Sequence, residues 1–168
     1  MLVFQDEYKG YIAKVADFGF STCFRGEHDL ISMPKSVPWN APEHHNREFW
    51  PQAAKKMDVY SFGILCLWLL FGAEPSPNMP LPSGFTQEEG FFISFEKPEQ
   101  ERNLLETWKR DSSDQLSEWA SWLVKEHGYF DSSVKNSLAK FFESTLASNP
   151  TKRSIDFSGL FLLLTPAR

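Results

Sequence analysis

Cysteine is scarce in this chain. Only Cys23 and Cys66 occur, far apart, one in a polar stretch and the other in an apolar helix pattern, with no metal-ligand motif around either. That argues against a metal centre and for ordinary thiols in a reduced, cytoplasmic setting. Positive charge is also in short supply, with 17 Lys and Arg against 22 Asp and Glu and a net charge of -5, so no broad basic surface exists for nucleic acid or an anionic membrane. Long apolar runs are missing too: the longest uninterrupted one, residues 64–71, falls far short of the ~20 residues a bilayer requires. The opening Met1-Leu2-Val3-Phe4 soon meets Asp6, Glu7 and Lys9, which does not read as a secretory leader. There is no internal repeat, and the one compositionally odd tract is a proline-rich stretch with Pro75, Pro77, Pro80 and Pro82.

What is present is core material. Over 168 residues, 42% hydrophobic and 15% aromatic content predicts one packed domain. Residues 2–4 and 11–16 are β-prone runs around a polar connection in which Gly10 supplies turn freedom, predicting an antiparallel hairpin. Residues 20–40 lose all periodicity and gather Arg25, Gly26, Pro34 and Pro38. A loop that long is usually functional or disordered. Residues 55–71 predict a helix polar only at its start and apolar on nearly every face from Phe62 onward, hence buried, with Gly72 as its stop. Helical patterns return over 99–110 and 113–126, the latter with Ser112 and Gln115 at capping-box spacing, and Trp108 of the first with Trp119, Trp122 and Leu123 of the second form the apolar side. A further helix over 134–146 places Leu138, Phe141, Phe142 and Leu146 on one face, Asn149-Pro150 ends it, and residues 157–164 form the last helix.

Three short motifs stand in order along this frame: Asp17-Phe18-Gly19, Ala41-Pro42-Glu43 and Asp58-Val59-Tyr60-Ser61-Phe62-Gly63, followed later by Asn149-Pro150 with Arg153. Alone, an Asp-Phe-Gly is what many turns use. In this order and spacing the set resembles the C-terminal lobe of a eukaryotic protein kinase, an ATP-dependent enzyme that transfers a γ-phosphoryl group to a protein hydroxyl. The implied fold is mainly α, a helical subdomain behind a short N-terminal β-hairpin. Its parts are a hairpin over 2–16, an activation segment over 17–43 and a helical core over 44–165.

The resemblance implies roles. Asp17 is the ligand of the Mg²⁺ that bridges ATP phosphates, Phe18 the packing residue beside it, and Leu2 lies under the adenine with Leu65 and Leu69 supporting it. Glu43 and Arg153 form a buried ion pair tying the end of the segment to the last helices, architecture rather than chemistry. Ser36, Trp39 and the Ala-Pro-Glu triplet form the substrate-docking end; Ser36 suggests serine/threonine specificity, whereas a Trp at position 39 is found in tyrosine kinases and in the tyrosine-kinase-like serine/threonine group. Ser21, Thr22, Ser32 and Ser36 are the segment's hydroxyls. Asp58 corresponds to the Asp that holds the catalytic loop. With that loop absent from the chain, Asp58 is expected either to face solvent or to be satisfied by amides at the helix start. His28, His44 and His45 lack a completing ligand set and are expected to be solvated.

The Gly-rich loop, the strand Lys and the catalytic loop with its Asp base do not occur in these 168 residues. The chain is therefore expected to be a piece of a kinase, inactive by itself, with ATP and Mg²⁺ belonging to the complete parent and a protein substrate or regulatory protein as partner. The alternative is a noncatalytic, kinase-like interaction module. Either way, surfaces that a second lobe would cover are expected to be apolar and exposed.

Overall fold

The computed structural model describes residues 2–14, 16, 18–44, 48–71, 109 and 114–164. Strands β1 (Leu2–Asp6) and β2 (Gly10–Lys14) pair antiparallel, with Leu2 opposite Lys14 and Asp6 opposite Gly10. The Asp6 carboxylate closes the turn by accepting the amides of Tyr8 and Lys9, each at 2.9 Å. Gly10 follows at φ 75°, a conformation that a β-carbon disfavours. Val3 and Phe4 are both exposed, and because successive strand residues point to opposite faces, both sides of the ribbon meet solvent.

The core is helical. Helix α1 (Pro51–Phe71) begins four residues before the expected start, because Pro51 suits a first helical position, where its missing N–H is no loss. Helix α2 (Gln115–Glu126) packs on α3 (Ser132–Leu146), and α3 packs in turn on α1 and on α4 (Phe157–Leu164). Asp131 caps α3 by accepting the Val134 amide at 2.9 Å, so α3 starts at Ser132 rather than at 134. Ser112 lies outside the described residues, and the N-cap position of α2 is held by Asp114 instead. The helix expected over 99–110 also lies outside them, apart from Lys109, as do Trp108 and the proline-rich stretch.

Tyr60, Gly63, Ile64, Leu67 and Phe71 recur at helical spacing along α1 and are buried against Leu138, Phe141, Phe142 and Leu146 of α3. Each such large apolar side chain contributes roughly 1.5–3 kcal/mol of burial. Trp119 and Leu123 of α2 are buried as expected, with Trp122 half-buried at the edge. The expectation that α1 is covered on every side fails: Leu69 is 54% and Leu70 39% exposed, because the described helices pack on one flank only. Two short strands escaped the sequence entirely. β3 (Ile31–Ser32) pairs antiparallel with β4 (Glu48–Phe49), and runs of two residues carry no readable period.

At Gly63, α1 lies directly against α3. A β-carbon there would lie 2.6 Å from Thr145 Oγ1 and 2.8 Å from Leu146 Cδ2. Gly63→Ala is therefore expected to lower stability by about 1–3 kcal/mol through overpacking, measured as a shift in the urea midpoint.

Candidate functional site

The loop from 18 to 44 is held at one end and loose at the other. Phe18–Phe20 forms a single 3-10 turn, closed by the Ser21 amide on Phe18 O at 3.0 Å. Phe18 is 68% exposed, so it does not take the packed position expected of it. Residues 21–30 are exposed throughout, and the contacts that steady them are slight. Thr22 Oγ1 donates to Ser32 O at 3.3 Å, and Lys55 Nζ sits 5.6 Å from the Phe24 ring centre. Ser21, Ser32 and Ser36 are exposed, as is the free thiol of Cys23. Burial pushes the Cys66 thiol up to about 12, leaving it protonated and inert.

The far end is fixed by many independent contacts. β3 is paired to β4, and the buried His44 donates from Nε2 to Met33 O at 3.0 Å while meeting Phe49 edge-on at 5.3 Å. A carbonyl only accepts, so Nε2 carries the proton. His44 is thus a structural histidine, not the solvated one expected. His28 is exposed, and His45 lies outside the described residues. Ser61 Oγ donates to Trp39 O at 2.8 Å, the Trp39 ring stands edge-on to Trp68 at 6.2 Å, and the Lys109 ammonium donates to Pro38 O. Ser61, His44 and Lys109 were not legible as site residues, because each acts on a backbone carbonyl remote in sequence.

At the end of the segment Glu43 and Arg153 meet. Arg153 Nη1 donates to Glu43 Oε1 at 2.6 Å and Nη2 to Oε2 at 2.9 Å, a two-pronged pair. The other N–H groups are also used: Nε on Ala147 O at 2.7 Å, Nη2 on Ser148 O at 3.0 Å and Nη1 on Lys56 O at 3.4 Å. The guanidinium carbon lies 4.6 Å from the centre of the Tyr60 ring. The expected pairing is therefore present, beside the apolar stripe of α1.

Asp17 lies outside the described residues; Leu2 is placed only by its backbone in β1, opposite Lys14. Leu65 is half-buried and Leu69 exposed. Among the described residues no group of three His, Cys, Asp or Glu is arranged to hold a metal, and no helix is long and apolar enough to cross a membrane. Asp58 has no hydrogen-bond partner among the described residues and faces solvent, the first of its two expected outcomes. Protein around it strips enough water to raise its pKa above the usual 3.8.

The family model for the protein kinase domain matches residues 1–156, and this chain belongs to that family. Among curated proteins, a "Probable LRR receptor-like serine/threonine-protein kinase" of Arabidopsis thaliana is 36% identical over 62 residues, which make up 36% of this chain and 6% of that protein. The matched stretch is thus a small part of that longer relative. No solved structure matches the chain.

Two substitutions check the site. Glu43→Gln leaves a buried guanidinium short of its counter-charge and is expected to cost about 3 kcal/mol, measured by urea denaturation. Asp58→Asn is expected to stabilise the chain at neutral pH. A carboxyl whose folded pKa is raised binds its proton more tightly in the folded state, so stability falls as pH rises from 3.8 through the folded value. Unfolding curves of wild type and Asp58→Asn should therefore converge at low pH and separate above it.

Proposed function

We propose that this chain supplies the C-terminal lobe of a protein serine/threonine kinase of the tyrosine-kinase-like group, whose complete form transfers the γ-phosphoryl group of ATP to protein hydroxyls. One observation carries the reading: the doubly hydrogen-bonded Glu43–Arg153 pair fixes the end of a segment that starts at Asp17-Phe18-Gly19. In this reading the hairpin occupies 2–16, the activation segment 17–43 and the helical core 44–165. The serine/threonine assignment rests on Ser36, with support from the serine/threonine-protein kinase that the chain resembles over 62 residues, and Trp39 is compatible with the tyrosine-kinase-like group.

Asp17 is proposed as the Mg²⁺ ligand and Leu2 as the residue under the adenine. No phosphate-cradling loop motif occurs in these 168 residues, and no step is assigned to ATP here. What these residues do is mechanical. The Trp39, Ser61, Lys109 and His44 contacts hold the docking end of the segment rigid, and Ser36 and Val37 are left exposed at its turn, where a protein substrate would lie. The chain alone carries no Asp base and is proposed to be inactive. ATP and Mg²⁺ belong to the parent enzyme, its partners are protein substrates or regulators, and its setting is cytoplasmic. The exposed faces of the hairpin and of α1 are where the rest of such an enzyme, or a partner, would cover it.

The test uses the endogenous protein, captured with an antibody to α3 and given labelled ATP. Transfer to protein Ser or Thr that is lost on Asp17→Asn supports the reading, whereas captured protein without transferase activity favours the noncatalytic module. The purified 168-residue chain should show no transfer, and calorimetry should find no micromolar Mg²⁺-ATP binding; Asp17-dependent turnover by that chain would refute its proposed inactivity.

A further inference from the structure

Asp114 occupies the N-cap position of α2 but does not cap it: its backbone stands at φ -76° and ψ 19°, and its side chain takes no amide of the first turn. An Asp at this position ordinarily satisfies one of the helix's free N–H groups. Here the carboxylate is turned instead onto the loop after α3. Oδ1 accepts from the Ser148 amide at 2.8 Å and from Ser148 Oγ at 2.7 Å, and Oδ2 accepts from Lys152 Nζ at 3.0 Å. The Ser148 hydrogen bonds, then that to Lys152, hold the Asp114 carboxyl below the usual carboxylate range.

The Ser148 N–H shares one rigid peptide plane with the Ala147 carbonyl. Asp114 grips the plane by its N–H, and Arg153 Nε grips it by its C=O at 2.7 Å. In a trans peptide these two groups point in opposite directions, so the plane is clamped between a carboxylate and a guanidinium, each polarising the amide for the other. The next carbonyl, Ser148 O, receives Arg153 Nη2, the same nitrogen that holds Glu43 Oε2. A continuous run of hydrogen bonds therefore connects the start of α2 to the end of the loop segment.

We propose that Asp114 is a positioning residue for the Glu43–Arg153 pair: by fixing the 147–148 peptide plane it aims the two carbonyls that orient the guanidinium. The proposal rests on the geometry of the pair and not on phosphoryl transfer, so it stands or falls separately from the kinase assignment. A role limited to the α2 dipole would also stabilise the helix, but it would have no reason to reach Arg153.

Proton exchange at Arg153 Nε, followed by NMR in the full 168-residue chain, separates the two. Asp114→Ala is expected to speed Arg153 Nε–H exchange at least tenfold while the backbone amides of Phe141 and Phe142 in α3 keep their wild-type rates. Asp114→Asn retains an oxygen for the Ser148 amide without the charge and should fall between. If the alanine variant does not fold, the asparagine variant must by itself raise the Arg153 rate at least threefold. An Arg153 rate unchanged in the folded variants, or one that rises only in step with Phe141 and Phe142, overturns the proposal.

Discussion

A guanidinium has five N–H groups in one plane, and an interior that leaves any of them bare forfeits much of what the ion pair contributes. Arg153 is buried with a partner for each: two carboxylate oxygens of Glu43 and the carbonyls of Lys56, Ala147 and Ser148. Those partners come from the loop segment, from α1 and from the turn after α3. One side chain thereby fixes the mutual position of three parts of the chain that are remote in sequence. The Tyr60 ring against the guanidinium carries this polar knot into the apolar stripe of α1. Such a pair adds little net stability compared with an apolar replacement, but it allows one arrangement of its neighbours and no other.

The consequence is a segment with two characters. Its second half is locked by the β3–β4 pairing, the His44 hydrogen bond and the grip of Ser61 on Trp39 O, and its first half is exposed and lightly held. A protein-docking surface needs that rigidity near the contact, and a regulated loop needs the freedom further off. In the proposed reading the fold supplies the mechanical part of a kinase lobe. The chemical part of the proposal rests on Asp17 and on residues that this chain does not contain.

Much of the frame was legible because long helices and ordered motifs leave strong marks. The 157–164 helix and the apolar face of Leu138, Phe141, Phe142 and Leu146 follow from periodicity, and the Glu43–Arg153 meeting is what the family resemblance implied. The boundaries were less legible. Pro51 begins α1 although the polar start of the pattern suggested residue 55, and the capping-box spacing at Ser112 gave no hint that Asp114 would stand at the N-cap of α2 with its side chain turned away. The missed site residues share one cause. His44, Ser61, Asp114 and Lys109 act through hydrogen bonds to chain segments distant in sequence, and no local pattern encodes those. The all-round burial expected of α1 failed because composition shows that a helix is apolar but not how many neighbours it has, as Leu69 and Leu70 show.

The central claim is that Glu43 and Arg153 act as one unit in fixing the segment, and a double-mutant cycle tests it most directly. Urea denaturation of wild type, Glu43→Gln, Arg153→Met and the double variant gives their coupling free energy. The account predicts that the two single losses overlap strongly, with a coupling of about 2–3 kcal/mol, at the upper end of values for residues in contact. Losses that add within ~0.5 kcal/mol would show that the two side chains stabilise the protein independently, and would contradict it.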